Sequence, residues 1–420
     1  MRSSLCLRFK IPAQGIVPYV TQLVKVPFPE DRWVAAIQVR PGNGAVVHHM
    51  AITEVRATPR FGLDPSPLAS LARQVGFRND LVVRQPAVTA PGDPALYDML
   101  GVYTPGASFE MYADGTAKLL RGGKDLYLNC NIHYQPTGRP EKDRSLLALW
   151  FQPQPPKRQL LRVNGAGESL LADGRELPTA AAQDRAEGNS AAIPAIPPYE
   201  ANYEVTGMTA YTQPVVIYQL HPHAHLRAKD FAYTVVYDDG REQPVLTVPK
   251  YDFLWQLAYD LETPLALPAG SKLVVTAHYD NSANNRNNPA PDKEVRFLPS
   301  GNQSWDEMFT PFIQYAWQAP GTLDVVAVDG CLERDAAGWT LTGATDPLAS
   351  KTEAASSEAS MALAAKPLGH RYYRLLGARF FDPSRRKPRG AAVKGVLIAG
   401  ACGNCINVTS LQTVPLACVE

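Results

Sequence analysis

The sequence predicts an all-β protein. Prolines number 37 and glycines 30 in 420 residues, Val, Thr and Tyr recur in short runs, and clusters such as "APGDP" and "TPGA" separate those runs. Short β-branched and aromatic runs bounded by Pro and Gly are the signature of many short strands joined by turns. A chain of this length suits two or three domains, each able to bury a core.

The elements divide into four stretches. Residues 1–157 form a first strand-rich unit, whose pattern begins at Leu7–Ile11 and continues through "WVAAIQV", "AVVHHMAITEV", "DLYLNCNIHYQ" and "SLLALWFQP". Residues 158–197, rich in Ala, Gly, Asp and Pro, are expected to be an interdomain linker with one marginal strand or helix at most. Residues 198–318 form a second strand-rich unit with "YEVTGMTAY", "PVVIYQLHPHAHL", "KLVVTAHYD" and a hairpin turning at Asp239-Gly240. Residues 319–420 hold five short strands, which suit a small barrel of OB type. A low-complexity insertion near 349–366, "SKTEAASSEASMALAAK", is expected to be flexible or a short helix.

Lys and Arg total 41 against 40 Asp and Glu, and no basic tail or stripe points to nucleic acid. No apolar run reaches the length of a membrane span. The opening "MRSSLCLRFKIPAQG" lacks the apolar segment of a signal peptide, and strand pattern starts almost at once. The natural N-terminus is therefore expected upstream, with an export signal before it.

Six cysteines are compatible with one to three disulfides and do not by themselves fix the compartment. Cys331 and Cys418, near the outer ends of the C-terminal unit, can form a staple. Cys402-Gly-Asn-Cys405 is a redox pair, half a zinc site, a plain disulfide or two loop thiols; no His follows it, so it is not a haem-attachment motif.

Six of the eight histidines fall in three clusters. His48 and His49 are adjacent in "VVHHMAI". On a regular strand one would face the core and the other solvent; to serve one ion, the strand must bulge, twist or end there. His133 shares a strand face with Asn129 and Asn131, opposite Cys130, and is either structural or a ligand. His221, His223 and His225 share one face if their stretch is a strand, and are either a metal set or a solvated stripe. Met308 in "WDEMF" is core packing, or else a soft thioether ligand that favours copper, especially Cu(I), over zinc.

Taken in order, "VVHHM", "NIHYQPTG", "HAHLRAKDF", "AHYDNSANN" and "WDEMF" resemble the copper type II, ascorbate-dependent monooxygenases, the family of peptidylglycine alpha-hydroxylating and dopamine beta-monooxygenases, and most closely their bacterial members. The resemblance covers roughly residues 10–318 and implies two tandem antiparallel β-sandwich, jelly-roll-like domains. It implies two copper ions per chain in separate mononuclear sites facing one interdomain cleft. His48, His49 and His133 match the ligands of the electron-transfer copper. His223, His225 and Met308 match those of the oxygen-activating copper, and are the expected catalytic set. His221, His278 and His370 match no ligand.

The implied reaction hydroxylates an activated C–H of a small substrate, using O₂ and ascorbate or another electron donor; the other oxygen atom ends in water. The family's location implies a periplasmic or secreted protein. Two positions depart from the peptide-amidating enzymes. Where those carry an Arg and a Tyr that grip a substrate carboxylate, this chain has His221 and Phe312, so a C-terminal glycine peptide is not the expected substrate. The family's cysteine pattern is also missing. Two other readings stand beside the enzyme: a copper-binding or electron-transfer protein without hydroxylation, and a sandwich holding structural zinc, against which Met308 argues.

Overall fold

The computed structural model describes residues 2–418 apart from the stretches 60–80, 85–98, 123–125, 165–167, 172–192, 298–303, 319–324, 351–367, 386–388 and 399–403 and scattered single or paired positions. Cys6, Cys402 and nearly all of the 349–366 insertion lie outside the described residues. The fold is all-β, and the helical segments among the described residues are two short 3₁₀ turns, Ala378–Phe381 and Pro383–Arg385. Among those residues no helix is long and apolar enough to cross a membrane.

The first unit pairs two sheets over one core. Strand Arg32–Arg40 is central to one sheet, between Leu146–Gln152 and Thr116–Leu120. Strand Val47–Pro59 lies beside Leu126–Tyr134 in the other, and Val20–Lys25 follows as its neighbour. Val34, Ile37 and Val39 from the first sheet meet Met50, Ile52, Leu128, Cys130 and Ile132 from the second in one apolar cluster. The half-buried Asn129 and Asn131 alternate with these buried positions, as a two-residue side-chain period requires. Cys130 is a buried thiol.

The stretch expected to be a linker carries three short strands, Arg158–Gln159, Leu161–Asn164 and Glu168–Leu171. They join a sheet of the first unit and both sheets of the second. Leu161 and Val163 alternate with Arg162 here, so a brief strand pattern lies hidden in a stretch whose average composition is that of a loop.

The second unit stacks the Leu161–Asn164, Phe312–Trp317, Val215–His221, Tyr259–Leu267 sheet on a five-stranded sheet centred on Lys272–Tyr279. Ile217, Leu220, Ile313 and Tyr315 face the core between these sheets. Val216, Tyr218 and Ala316 face the other way and belong to the core cluster of the first unit. The two units are thus packed through one sheet face, and that face leads directly to the histidines.

On the outer sheet, Glu204, His278 and Asp230 stand side by side across three strands. The hydrogen bond with Glu204, joined by that with Asp230, raises His278 from 6.5 to about 9 against the opposing effect of burial. A raised folded-state pKa stabilises fully below the unfolded value and ceases to do so as pH rises through the folded one. Lys272, which burial pushes from 10.5 down to about 7, has the opposite slope between those values. The difference between wild type and His278→Gln isolates the histidine: it should be largest near pH 6 and vanish above roughly pH 10. A difference that stays constant over that range in urea unfolding would refute the linkage.

In the C-terminal unit, strands Val325–Asp335, Gly338–Ala344, Arg371–Leu376, Cys405–Thr413 and Gly390–Ile398 pair in that order, and the last pairs with the first. The five expected strands therefore close into a barrel. Met208, Val236 and Val274 of the second unit share its core. Asn407 Nδ2 donates to Gly270 O at 2.6 Å, and Lys272 Nζ donates to Val408 O. At this junction Gly377 has φ +64°, a left-handed conformation that favours glycine, and a Cβ there would push against the end of the Lys272 side chain.

Cys331 and Cys418 form the expected staple, closing a separation of 87 residues. Loop-closure entropy at that length corresponds to roughly 4–5 kcal/mol in the simple chain model. Cys418→Ser should therefore destabilise the C-terminal unit by at least about 2 kcal/mol, read as a lowered denaturation midpoint of that unit. An unchanged midpoint would mean that the unfolded state gains little freedom. Cys405 is also disulfide-bonded.

Candidate metal centre

Strand geometry brings the adjacent histidines to one side. His49 pairs with His133, but the next pair is Val47 with Tyr134. His48 is thus the extra residue of a β-bulge, which lets both rings turn the same way. His48 Nδ1 lies 3.0 Å from His49 Nδ1 and 3.2 Å from His133 Nδ1. His48, His49 and His133 are 7%, 9% and 8% exposed. The polar strand face that carries His133 is covered at this end by the second unit.

These spacings fit a shared ion. Bonds of about 2.0 Å at angles of about 90–120° place ligand nitrogens roughly 2.8–3.5 Å apart. Burial is the main cause that lowers His48 to about 4 and His133 to about 3, and it holds His49 well below its ordinary value. All three are therefore neutral at pH 7, with lone pairs to offer. His48 Nε2 is buried and has no hydrogen-bond partner among the described residues. A cation among the three converging Nδ1 atoms would draw on their lone pairs, with the proton of each ring then at Nε2.

The second group sits in a different setting from the one expected. The strand ends at His221, so His223 and His225 lie just beyond it and not on a strand face. Pro222 supplies the reason, since it has no N–H for the ladder. What holds the two rings is a set of tertiary contacts. Gln256 Nε2 donates to Phe253 O at 3.0 Å, which fixes its amide so that Oε1 faces His223 Nδ1 at 2.6 Å. His225 Nδ1 donates to Asp306 O at 3.1 Å. In both rings Nδ1 keeps the proton, and Nε2 carries the lone pair. Anchored outer nitrogens of this kind are what orient metal-binding imidazoles.

The Met308 segment is bound to the same turn. Thr310 N donates to His223 O at 3.1 Å, and Arg227 Nη1 donates to Trp305 O at 3.0 Å. Tyr251 Oη donates to Ala224 O at 2.8 Å. Met308, half-buried, is held by its own N–H and by its carbonyl, which accepts from Tyr279 Oη at 2.8 Å. The donor set, two neutral imidazoles beside a thioether-bearing segment, is soft enough to suit Cu(I), whereas three imidazoles serve several transition metals.

The two groups touch. His49 and His223 have ring centroids 6.0 Å apart. Tyr19, from the first unit, places its hydroxyl 3.4 Å from His225 Nε2 and stands edge-on to His133, with ring centroids 4.7 Å apart. Phe253, from the second unit, stacks on His48 at 4.9 Å and stands edge-on to His225 at 5.8 Å. The cleft expected between the units is closed at its histidines. His221 is 3% exposed, lies 6.5 Å from His223, and has neither ring nitrogen hydrogen-bonded among the described residues. His278 sits in its carboxylate row, and His370 lies on an exposed bend.

Beneath His221 the junction carries a polar row that runs from buried Arg162, Gln219 and Gln314 out to half-buried Glu110 and exposed Asp260. Arg162 Nη2 donates to Glu110 Oε1 and Gln219 Oε1, each at 2.5 Å, and Gln219 Nε2 donates to Asp260 Oδ1 at 2.7 Å. Gln314 also donates to Glu110. Sequence reading missed Tyr19, Phe253 and Gln256, single residues between strands with no motif around them. Glu307 lies within "WDEMF" but had no role assigned.

No family model and no curated protein matches the chain. Among solved structures, it is similar to PNGF-II at 8% identity over 75% of this chain and 66% of that one, with a TM-score of 0.27. It is similar to allantoicase at 8% identity over 65% of this chain and 79% of that one, with a TM-score of 0.19. Both likenesses are too slight to bear on fold or function.

Proposed function

We propose that the protein is a copper-dependent monooxygenase that hydroxylates an activated C–H of a small substrate, with O₂ and an external one-electron donor such as ascorbate. The observation that carries this reading is the convergence of five neutral imidazoles from two units at one buried place, with the Met308 segment fastened beside two of them. His48, His49 and His133 would hold the electron-transfer copper; His223, His225 and Met308 would hold the oxygen-activating one. When bound, copper supplies one-electron chemistry and dioxygen activation that no side chain here can supply.

The chain's own residues prepare that chemistry. Gln256 and the Asp306 carbonyl keep protons at Nδ1 of His223 and His225, leaving Nε2 to bind. Phe253 excludes water between the two groups. Tyr19 packs between the two groups, with its ring against His133 and its hydroxyl beside His225. Arg162 is engaged by Glu110 and Gln219, and burial keeps His221 neutral, so a carboxylate-bearing substrate finds no cation offered at this wall. The disulfides fit an extracytoplasmic location.

The deciding experiment measures copper per chain together with ascorbate-dependent oxygen uptake. Two coppers with uptake coupled to a hydroxylated product is the expected result. Two coppers with no uptake across a panel of neutral C–H substrates would favour an electron-transfer protein. Failure to bind copper, or a preference for zinc, would remove the reading altogether.

A further inference from the structure

Arg227 of "HAHLR" and Glu307 of "WDEMF" are 80 residues apart in sequence, yet one side chain ties the two motifs together. Glu307 is fully buried. Its Oε2 accepts from the backbone N–H of His225 at 2.9 Å and of Met308 at 3.3 Å, while Oε1 accepts from Arg227 N at 2.7 Å. His225 and Met308 are two proposed ligands of a single site, and they share one carboxylate oxygen. We propose that Glu307 is the positioning residue of the second metal site: one buried carboxylate holds the backbone of both ligands, so that the imidazole and the thioether reach the same ion. This rests on the copper reading above.

The chemistry favours a carboxylate over any neutral group. A carboxylate is acceptor-only, with two oxygens that can take several N–H donors at once. Arg227 completes the arrangement: it lies next to the carboxylate through its backbone, and its Nε and Nη1 donate to Asn281 Oδ1 at 2.9 Å and Trp305 O at 3.0 Å. The turn at 225–227 and the segment at 305–308 are therefore fastened from both sides: Glu307 accepts from the backbone of the turn, and Arg227 donates to Trp305 O.

In Glu307→Gln one oxygen becomes an NH₂ group, which must confront an N–H of the turn or of Met308. The expected result is a roughly 10- to 100-fold loss of copper affinity at the second site, with the first site unaffected. Two readouts assign the site: copper titration with Cu(II) paramagnetic resonance, and the copper–sulfur signal in X-ray absorption of the reduced protein. In copper-free protein, amide hydrogens of His225 and Met308 should exchange faster. Should Glu307→Gln not fold, Glu307→Asp, which keeps the charge and withdraws the carboxylate by one methylene, must show the same selective weakening. Two coppers at wild-type affinity with an unchanged sulfur signal would overturn the proposal. So would loss of both coppers together, or failure of both variants to fold, because Glu307 would then serve the fold at large. Wild-type protein that takes up no copper would overturn the parent reading instead, and the exchange measurement would still report on Glu307.

Discussion

His225→Ala is expected to abolish ascorbate-dependent oxygen uptake and to reduce copper from two ions per chain to one. Loss of a hydrogen-bonded partner of a metal ligand typically costs 10- to 100-fold in affinity or activity, so loss of the ligand itself should cost more than about 100-fold. The larger effect should fall on the second site, because the backbone N–H and Nδ1 of His225 are held by Glu307 and Asp306, although Tyr19 and Phe253 touch both groups. His48→Ala makes the complementary test. It should also remove one copper, while leaving the copper–sulfur signal in place. A His48→Ala protein with full turnover would defeat the electron-transfer role of the first group. Turnover untouched by Met308→Ile would defeat the oxygen-site assignment of the second.

Much of this architecture is legible in the amino-acid sequence, and for a clear reason. Alternation in "DLYLNCNIHYQ" and "KLVVTAHYD" is a local property, and the strands follow it. The bulge at His48 is also implied, since two adjacent rings on a regular strand cannot meet. What the sequence hides is tertiary. Pro222 stops the strand before His223, so the three clustered histidines do not share a strand face. The rings are oriented instead by Gln256 and Asp306, which are 33 and 81 residues away. Tyr19 and Phe253 each reach the histidines from a loop, and no periodicity marks a single aromatic residue in a loop. The strand Leu161–Asn164 is obscured by the composition around it, because only four residues carry the alternation.

Glu110→Ala should be the most damaging single change in the polar row between the first two units, by about 3 kcal/mol. Glu110 lies in the first unit, and its carboxylate meets Arg162, whose side chain is 2% exposed, in the second. Removing one partner of a buried ion pair leaves the other charge desolvated, which costs more than the pair itself contributes. Gln219 still accepts from Arg162, and Glu110 is 17% exposed, so the figure belongs at the lower end of the range for such losses. A double-variant cycle tests the sign. Glu110→Ala with Arg162→Met should be more stable than Glu110→Ala alone, because no buried charge is left without its counterion. If the double variant in urea unfolding is less stable than both singles, the guanidinium was not the burdened group. The change should reach function as well. The polar row lies on the sheet face that ends at His221, and the same face sets how closely His223 approaches His49. On the proposed function, a loosened junction should slow electron transfer between the two proposed copper sites while each still binds its metal, a result that separates the packing of the units from the chemistry of either site.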